Sequence, residues 1–371
     1  MENGGPVNPF QFTGVVGPEA FCNRKREVEE LLRVIRNGEK LLVFSERRFG
    51  KTSLVRLAVE QLPKTRYRAA YVDLWPTRDE ASFIAETARA ITESVSNTAD
   101  KLLDTGKRLF SRLIPSVTVE GRKPKVQFGL AAAGELELEE VLAAPARVAG
   151  RGRYKVVMVF DEIQQILEYP TDMVERRLRS IMQMQKKVSY IFLGSRKHLI
   201  QKMFMDPSRP LYRAAEHYPL PAIPEQEWIP FIRERFRAGG RGLSEDDIRA
   251  VCETTAGHPY YTQYLCHLLW DLPKPQLAEA VRILLEREHH AYAGLWESLA
   301  GNQKKLLRGL AGWPGSKPFA ADFLRHWGLG TASSAQRAMK ALAAKDIIER
   351  QKASCVICDR FFQTWIQLMP S

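Results

Sequence analysis

The sequence predicts an α/β protein: a parallel sheet covered by helices, then a helical unit, then a C-terminal winged helix-turn-helix. Three observations predict it. Short apolar runs alternate with segments of helical periodicity over about the first 220 residues. The loop "SERRFGKTS" (45–53) joins one such run to a helical segment. Beyond about Gly294, three helical segments precede two short strand-like runs, "IIERQ" and "SCVICD".

Taken in order, "FCNRKREVEELLRVIRNG" (21–38) spaces its apolar residues for a helix and stops at Gly38, directly before the strand "KLLVF" (40–44). "TSLVRLAVEQL" is helical up to Pro63, and "YRAAYVDLW" (67–75) reads as a buried strand ended by Pro76. "ASFIAETARAITESV" supplies a helix, "KVVMVFDEI" (155–163) a third strand, "VERRLRSIMQMQ" a helix and "VSYIFLGS" (188–195) a fourth strand. Strands alternating with helices in this way lie parallel. Residues 97–134 interrupt the pattern: "KRLFSRLIPSVTVEGRKPKVQFGLAAAG" is weakly periodic and basic, and reads as an insertion with a hairpin or flexible loop. Its "KRLFSRLI" makes only about two turns, short for a membrane-surface anchor, so packing onto the domain is expected.

A fifth strand falls near "HYPLPAI" (217–223). Four helices follow, "EQEWIPFIRERF", "SEDDIRAVCETT", "HPYYTQYLCHLLW" and "KPQLAEAVRILLEREHH", which suit a lid beside the sheet. Helices around "NQKKLLRGL", "AADFLRHWG" and "SSAQRAMKALAAKDII", with the two strands, outline the winged helix. The expected division is 1–223 for the sheet domain, 224–293 for the lid and 294–371 for the winged helix.

Composition narrows the class. With 371 residues, 45% of them apolar, the chain exceeds what one core usually covers, so two or three domains are expected. No window holds about 18 uninterrupted apolar residues, and "MENGGPVNPF" lacks the basic start and apolar run of a secretion signal. Five cysteines at 22, 252, 266, 355 and 358 form no disulfide framework, so a cytoplasmic, non-membrane protein is expected. A net charge of +12 suits either polyanion contact or general surface solvation.

The loop carries chemistry. It fits the phosphate-loop pattern G-x-x-x-x-G-K-[ST] except that Ser45 stands at the first glycine. Between a buried strand and a helix, the main chain of Ser45, Arg47, Arg48, Phe49, Gly50, Lys51, Thr52 and Ser53 would wrap a phosphate, with Lys51 reaching the β- and γ-phosphates and Thr52 holding Mg²⁺. Glycine is wanted there for a positive φ or a close approach, so serine fits where φ is negative.

The strand "VVMVFDEIQQI" ends in Asp161-Glu162, a pair of carboxylates that is costly to bury without partners. Asp161 would reach the metal through water, and Glu162 would orient and polarise an attacking water. The alternative is a helix start favoured by acidic residues. Ser195, ending "YIFLGS", is placed to hold that water, to cap the next helix, or both. Of Arg196, Arg209 and Arg213, Arg213 is preferred to stabilise transition-state charge, in cis or from a neighbouring subunit.

Together, "FCNRKREVEELL", "SERRFGKTSL", "YVDLW", "VVMVFDEIQQIL", "YIFLGSRKHLI", "DPSRPLYR", "AGHPYYTQYLCHLLW" and "SSAQRAMKALAAKDII" resemble, in that order, the prokaryotic (archaeal-type) P-loop ATPases of the STAND/AAA+ superfamily. They are similar more distantly to origin-recognition ATPases. The resemblance covers about residues 15–368 and departs at Ser45, which is commonly glycine. It implies a P-loop NTPase core with the additional-strand, catalytic-glutamate sheet order, ATP or ADP with Mg²⁺ as cofactors, and a lid element Gly257-His258-Pro259 near the nucleotide. The residues alone read "GHPYY" as a helix start.

Other features have plainer readings. Cys355 and Cys358 lack the second pair a structural zinc needs and suit core packing. His289-His290 ends a lid helix, "YYTQYLCHLLW" suits lid core, and seven scattered tryptophans suit packing rather than base stacking. In the winged helix, Gln336, Arg337 and Lys340 could face a DNA groove, with Lys345 and Arg350 near the wing; docking to protein or to the same chain is the alternative. The expected function is an ATPase switch acting on double-stranded DNA in replication, transposition, repair or defence. Its alternative is a signalling or scaffold ATPase that holds ADP and answers to a protein partner, and nucleotide-dependent self-assembly is compatible with either.

Overall fold

The computed structural model describes residues 7–120, 123–130, 134–151, 154–351 and 354–369. They form two compact units, Gly17–Pro221 and residues 7–16 with 222–369.

The first unit runs α1 (Lys25–Asn37), β1 (Lys40–Phe44), α2 (Lys51–Glu60), β2 (Tyr67–Asp73), α3 (Glu80–Val95), α4 (Ala99–Leu109), β3 (Leu113–Glu120), β4 (Lys123–Leu130), α5 (Glu135–Arg151), β5 (Lys155–Asp161), α6 (Met173–Met184), β6 (Val188–Gly194), α7 (Lys197–Phe204) and β7 (Glu216–Pro219). Five strands pair in parallel in the order β2-β5-β6-β1-β7. Thus β6 lies between the strand that leads into the phosphate loop and the strand that ends in the acidic pair. This is the additional-strand order that the resemblance implies.

Alternate residues of each strand feed opposite cores, which is why the strands read as continuous apolar runs. On one face Phe83, Phe160, Tyr190, Phe192 and Phe204 meet, with Phe160 stacked between Phe83 and Phe192 at 5.9 Å each. On the other, Leu41, Val43, Val159, Ile191 and Leu193 pack on Val34 of α1 and on Leu54 and Val55 of α2. The described residues within 97–134 include α4 and the antiparallel pair β3-β4, in register Val117↔Val126; the Phe110 and Phe128 rings meet at 5.3 Å and join the first core. Helix α5, which the sequence reading omits, carries Pro145 in its interior, so the usual helix-breaking signal masks it.

The second unit contains α8 (Glu225–Ala238), α9 (Glu245–Thr255), α10 (Pro259–Asp271), α11 (Leu277–Glu297), α12 (Gly301–Gly312), α13 (Ala321–His326), α14 (Ala332–Ala344), β8 (Ile348–Gln351), β9 (Ser354–Ile357) and α15 (Arg360–Leu368). Helices α12–α14 and the antiparallel β8-β9 ribbon make the winged helix. Helix α15 was not anticipated; Asp359 caps it by accepting from the Phe361 and Phe362 N–H groups, and also accepts from Tyr292 of α11. Residues 7–16 join this unit: Phe10, only 2% exposed, lies among Phe231, Phe236 and Trp270. Cys355 is buried in the wing, its Sγ 3.5 Å from Met339 Sδ. No helix among the described residues is long and apolar enough to cross a membrane.

Candidate functional site

The loop after β1 continues the sheet by one residue, as the Ser45 N–H donates to Gly194 O at 3.3 Å. Left-handed backbone occurs at Arg48 (φ 62°) and Gly50 (φ 80°), not at Ser45. The serine side chain therefore meets no conformational penalty at the position where the pattern asks for glycine. Leu54 N–H then bonds Gly50 O at 2.9 Å, starting α2.

Lys51 is 6% exposed, and its ammonium donates to Glu46 O at 2.7 Å, Ser45 O at 3.2 Å and Ser45 Oγ at 3.3 Å. Burial pushes its pKa down to about 8, against the pull of Glu162 and Asp161. Its partners are neutral oxygens, so an anion brought to the loop would be a stronger partner than any of them.

Thr52 Oγ1 donates to Asp161 Oδ2 at 2.7 Å, joining the start of α2 to the end of β5. Tyr71 of β2 donates to the same oxygen, and the Glu162 N–H reaches Asp161 Oδ1 at 3.0 Å. Burial raises the Asp161 pKa, while the Tyr71 and Thr52 donors oppose the rise. The parallel register Asp73↔Asp161 brings Tyr71 there, and the Arg56 guanidinium lies 4.8 Å from its ring.

Glu162 turns left-handed (φ 53°), and its Oε2 accepts from Ser195 Oγ at 2.7 Å and from the Gln164 amide. Gln164 is 2% exposed and its Oε1 has no hydrogen-bond partner. Gly194 makes room here, because a Cβ on it would stand 2.2 Å from Ile200 Cδ1 and 3.1 Å from Gln164 Oε1. The ends of β1, β5 and β6 thus bring together Ser45, Lys51, Thr52, Asp161, Glu162 and Ser195.

Other predicted residues lie elsewhere. Arg196 pairs with Glu168 at 2.9 Å, and Arg209 pairs with buried Glu175. Exposed Arg213 lies over the Tyr212 ring at 5.2 Å. It precedes β7, whose Glu216 pairs with Leu41 near the start of β1, so it stands at the sheet end opposite the phosphate loop. A cis role on the chain's own loop is therefore out of its reach. Arg47 lies 5.5 Å from the ring of exposed Trp75.

In the second unit, Gly257 is left-handed (φ 68°); its carbonyl accepts from Ile223 N at 3.1 Å and Trp228 Nε1 at 3.3 Å. A Cβ there would meet Ile223 O at 2.0 Å, so only glycine fits. His258 precedes α10, with its ring 4.8 Å from Tyr261, and Pro259 is the first residue of that helix. On α14, Gln336, Arg337 and Lys340 are exposed opposite buried Ala335, Ala338, Met339 and Leu342; Lys345 and Arg350 are exposed as well.

Sequence reasoning missed Arg24 and Tyr71. Arg24 is 4% exposed, yet its guanidinium donates to Phe49 O at 3.3 Å, Pro221 O at 3.0 Å and Glu27 at 3.3 Å. Burial lowers its pKa, with Glu27 opposing. The only sequence signal was an arginine beside acidic residues ahead of α1. Tyr71 meets Asp161 only through the β2-β5 register, for which the sequence carries no local signal.

Comparison with known proteins gives the family and the fold. Residues 21–265 match the family model of an ATPase domain found predominantly in Archaea, and residues 290–368 match a probable winged helix domain. An uncharacterised ATP-binding protein of Pyrococcus abyssi is 24% identical over 259 residues, 65% of this chain and 70% of that protein. A Walker-type ATPase of P. abyssi has a similar structure, with a TM-score of 0.70 at 18% identity, covering 97% of this chain and 99% of that one. The ORC2 protein of Aeropyrum pernix, solved with ADPNP and ADP, gives a TM-score of 0.56 at 13% identity, covering 99% and 96%. The chain belongs to the family of P-loop ATPase domains found predominantly in Archaea, and carries a C-terminal winged helix.

Proposed function

We propose that this protein is a cytoplasmic nucleotide-operated switch that hydrolyses ATP slowly and uses its nucleotide state to govern a winged helix bound to double-stranded DNA. One observation carries the reading: at the ends of adjacent strands, Thr52 bonds Asp161 while Ser195 bonds Glu162, each at 2.7 Å, beside Lys51. Two differently held carboxylates beside a phosphate loop suit a division of labour between metal binding and water activation.

In this reading the main chain of Ser45, Arg47, Arg48, Phe49 and Gly50, with Lys51, Thr52 and Ser53, holds the phosphates. Thr52 and Asp161 offer hard oxygens only 2.7 Å apart, and the buried Asp161 carboxylate is the kind of group a cation stabilises, so these residues fit Mg²⁺. The metal would neutralise phosphate charge. Glu162 takes the proton of the attacking water, and Ser195 and Gln164 fix its carboxylate. Arg213 serves the site of a neighbouring copy. Gly257, His258 and Pro259 sense nucleotide from the lid, and the chain works in three parts, 1–223, 224–293 and 294–371. Five free cysteines suit the cytoplasm.

Exposed Gln336, Arg337, Lys340, Lys345 and Arg350 would meet DNA, and the net charge of +12 supports that choice. A second reading, a signalling switch that holds ADP and answers to a protein, is favoured by a groove of about 630 Å³ beside α11 and α15, lined in part by Leu285, Trp365 and Leu368.

The test measures bound nucleotide, hydrolysis with and without duplex DNA, and DNA affinity against salt. Lys51→Ala should lose nucleotide. Arg337→Ala/Lys340→Ala should lower the log–log salt slope by about two. An unchanged slope removes the DNA reading; tightly held ADP with negligible turnover and no DNA binding selects the second one.

A further inference from the structure

We infer that Arg24 is a positioning residue for the phosphate loop, tying the Phe49 carbonyl inside the loop to the Pro221 carbonyl beyond β7. The inference rests on the phosphate-loop reading above. Asn23 and Arg24 are both left-handed, at φ 43° and 48°, a conformation that non-glycine residues adopt at a cost and seldom twice in succession. That backbone turns a guanidinium into the protein, where only 4% of the residue remains exposed. There it donates to Phe49 O at 3.3 Å and Pro221 O at 3.0 Å, while Glu27 at 3.3 Å balances the charge.

A buried charge of this kind is tolerated only when its donors are used, and here two of its three partners are main-chain carbonyls in separate segments. The Phe49 carbonyl shares a peptide plane with the Gly50 N–H, and in a trans peptide the two point in opposite directions. Holding the carbonyl on Arg24 therefore sets the direction of that N–H. Phosphate loops bind through such N–H groups, so a fixed peptide plane is a fixed donor. Pro221 is the last residue of the sheet unit, so the same side chain also reads the place where the chain leaves that unit. Lysine has neither the fork nor the five donors to hold both carbonyls.

The experiment uses the full chain, with Arg24→Lys and Arg24→Ala compared against wild type and Lys51→Ala. It reads ADP affinity by calorimetry, melting temperature, and amide exchange at residues 45–52 without nucleotide. Arg24→Lys keeps the charge beside Glu27 and should melt within a few degrees of wild type. It should nevertheless bind ADP about ten- to a hundredfold more weakly and exchange faster across the loop. A folded Arg24→Lys with wild-type loop exchange and ADP affinity within about threefold overturns the inference. If Arg24→Ala fails to fold, Arg24→Lys still decides. Equal ADP binding by Lys51→Ala and wild type would instead remove the phosphate-loop reading, and loop exchange, which needs no nucleotide, would still decide about Arg24.

Discussion

Ser195 Oγ donates to Glu162 Oε2 at 2.7 Å, bridging the ends of two adjacent strands. Gln164 donates to the same oxygen, so the carboxylate is held by two donors before any water arrives. Glu162→Gln keeps an acceptor for both donors but removes the base. Phosphate release should fall about a hundred- to ten-thousandfold while ADP affinity stays within about threefold. Ser195→Ala loosens the carboxylate without removing it and should cost about tenfold. Steady-state phosphate release and ADP calorimetry check both variants; a Glu162→Gln enzyme that turns over at the wild-type rate would displace Glu162 from its role.

Nucleotide affinity should fall as pH rises above about 8. Without nucleotide, burial holds Lys51 near pKa 8, below its ordinary 10.5. Between those values the unfolded chain binds more protons than the folded one, so this group makes the nucleotide-free protein more stable as pH rises from about 8 to 10.5 and less stable as pH falls back. Phosphates favour the ammonium form, so binding at high pH requires proton uptake. Calorimetry of ADP binding in buffers of different ionisation enthalpy should detect up to about one proton taken up near pH 9, with affinity dropping by at most about tenfold per pH unit. A flat profile to pH 9.5 would exclude Lys51 as the titrating partner.

Ser45→Gly tests the departure from the usual loop pattern. Ser45 has no positive φ, so glycine relieves no strain there. The change removes one acceptor of the Lys51 ammonium at 3.3 Å and leaves two carbonyls. ADP affinity and turnover should stay within about threefold of wild type or rise. A tenfold loss in phosphate release would show that the hydroxyl contributes to the reaction.

The parts legible in the sequence were those with strong local signals. Buried strands such as 40–44 and 155–161 carry continuous apolar runs; "GKT" closes the loop after the first and "DE" ends the second, so both the sheet and the polar centre follow from pattern. What escaped depends on tertiary position. Tyr71 reaches Asp161 because β2 pairs with β5, and Arg24 reaches Phe49 and Pro221 across 25 and 197 residues of chain. Pro145 hides helix α5, and α15 is a short nine-residue helix directly after the wing strands, with few turns over which periodicity can show. The sequence neighbourhood of Arg213 suggests a place near the site, and only the β1-β7 register shows at which end of the sheet it stands.

That position yields the last prediction. Arg213 precedes β7 at the end of the sheet opposite Lys51, and its exposed guanidinium rests over Tyr212. A side chain cannot cross the length of a strand at about 3.3 Å per residue to reach its own phosphate loop. If it stabilises transition-state charge, it does so on another copy. Arg213→Ala and Glu162→Gln should each be nearly inactive alone. Mixed, they should regain activity, because an assembly can then pair an intact Glu162 with an intact Arg213 from its neighbour. Phosphate release from the mixture, measured across protein concentrations that dissociate and rebuild the assembly, should rise well above the sum of the two variants. A mixture no more active than that sum, with Arg213→Ala itself near wild-type turnover, would leave Arg213 outside the reaction.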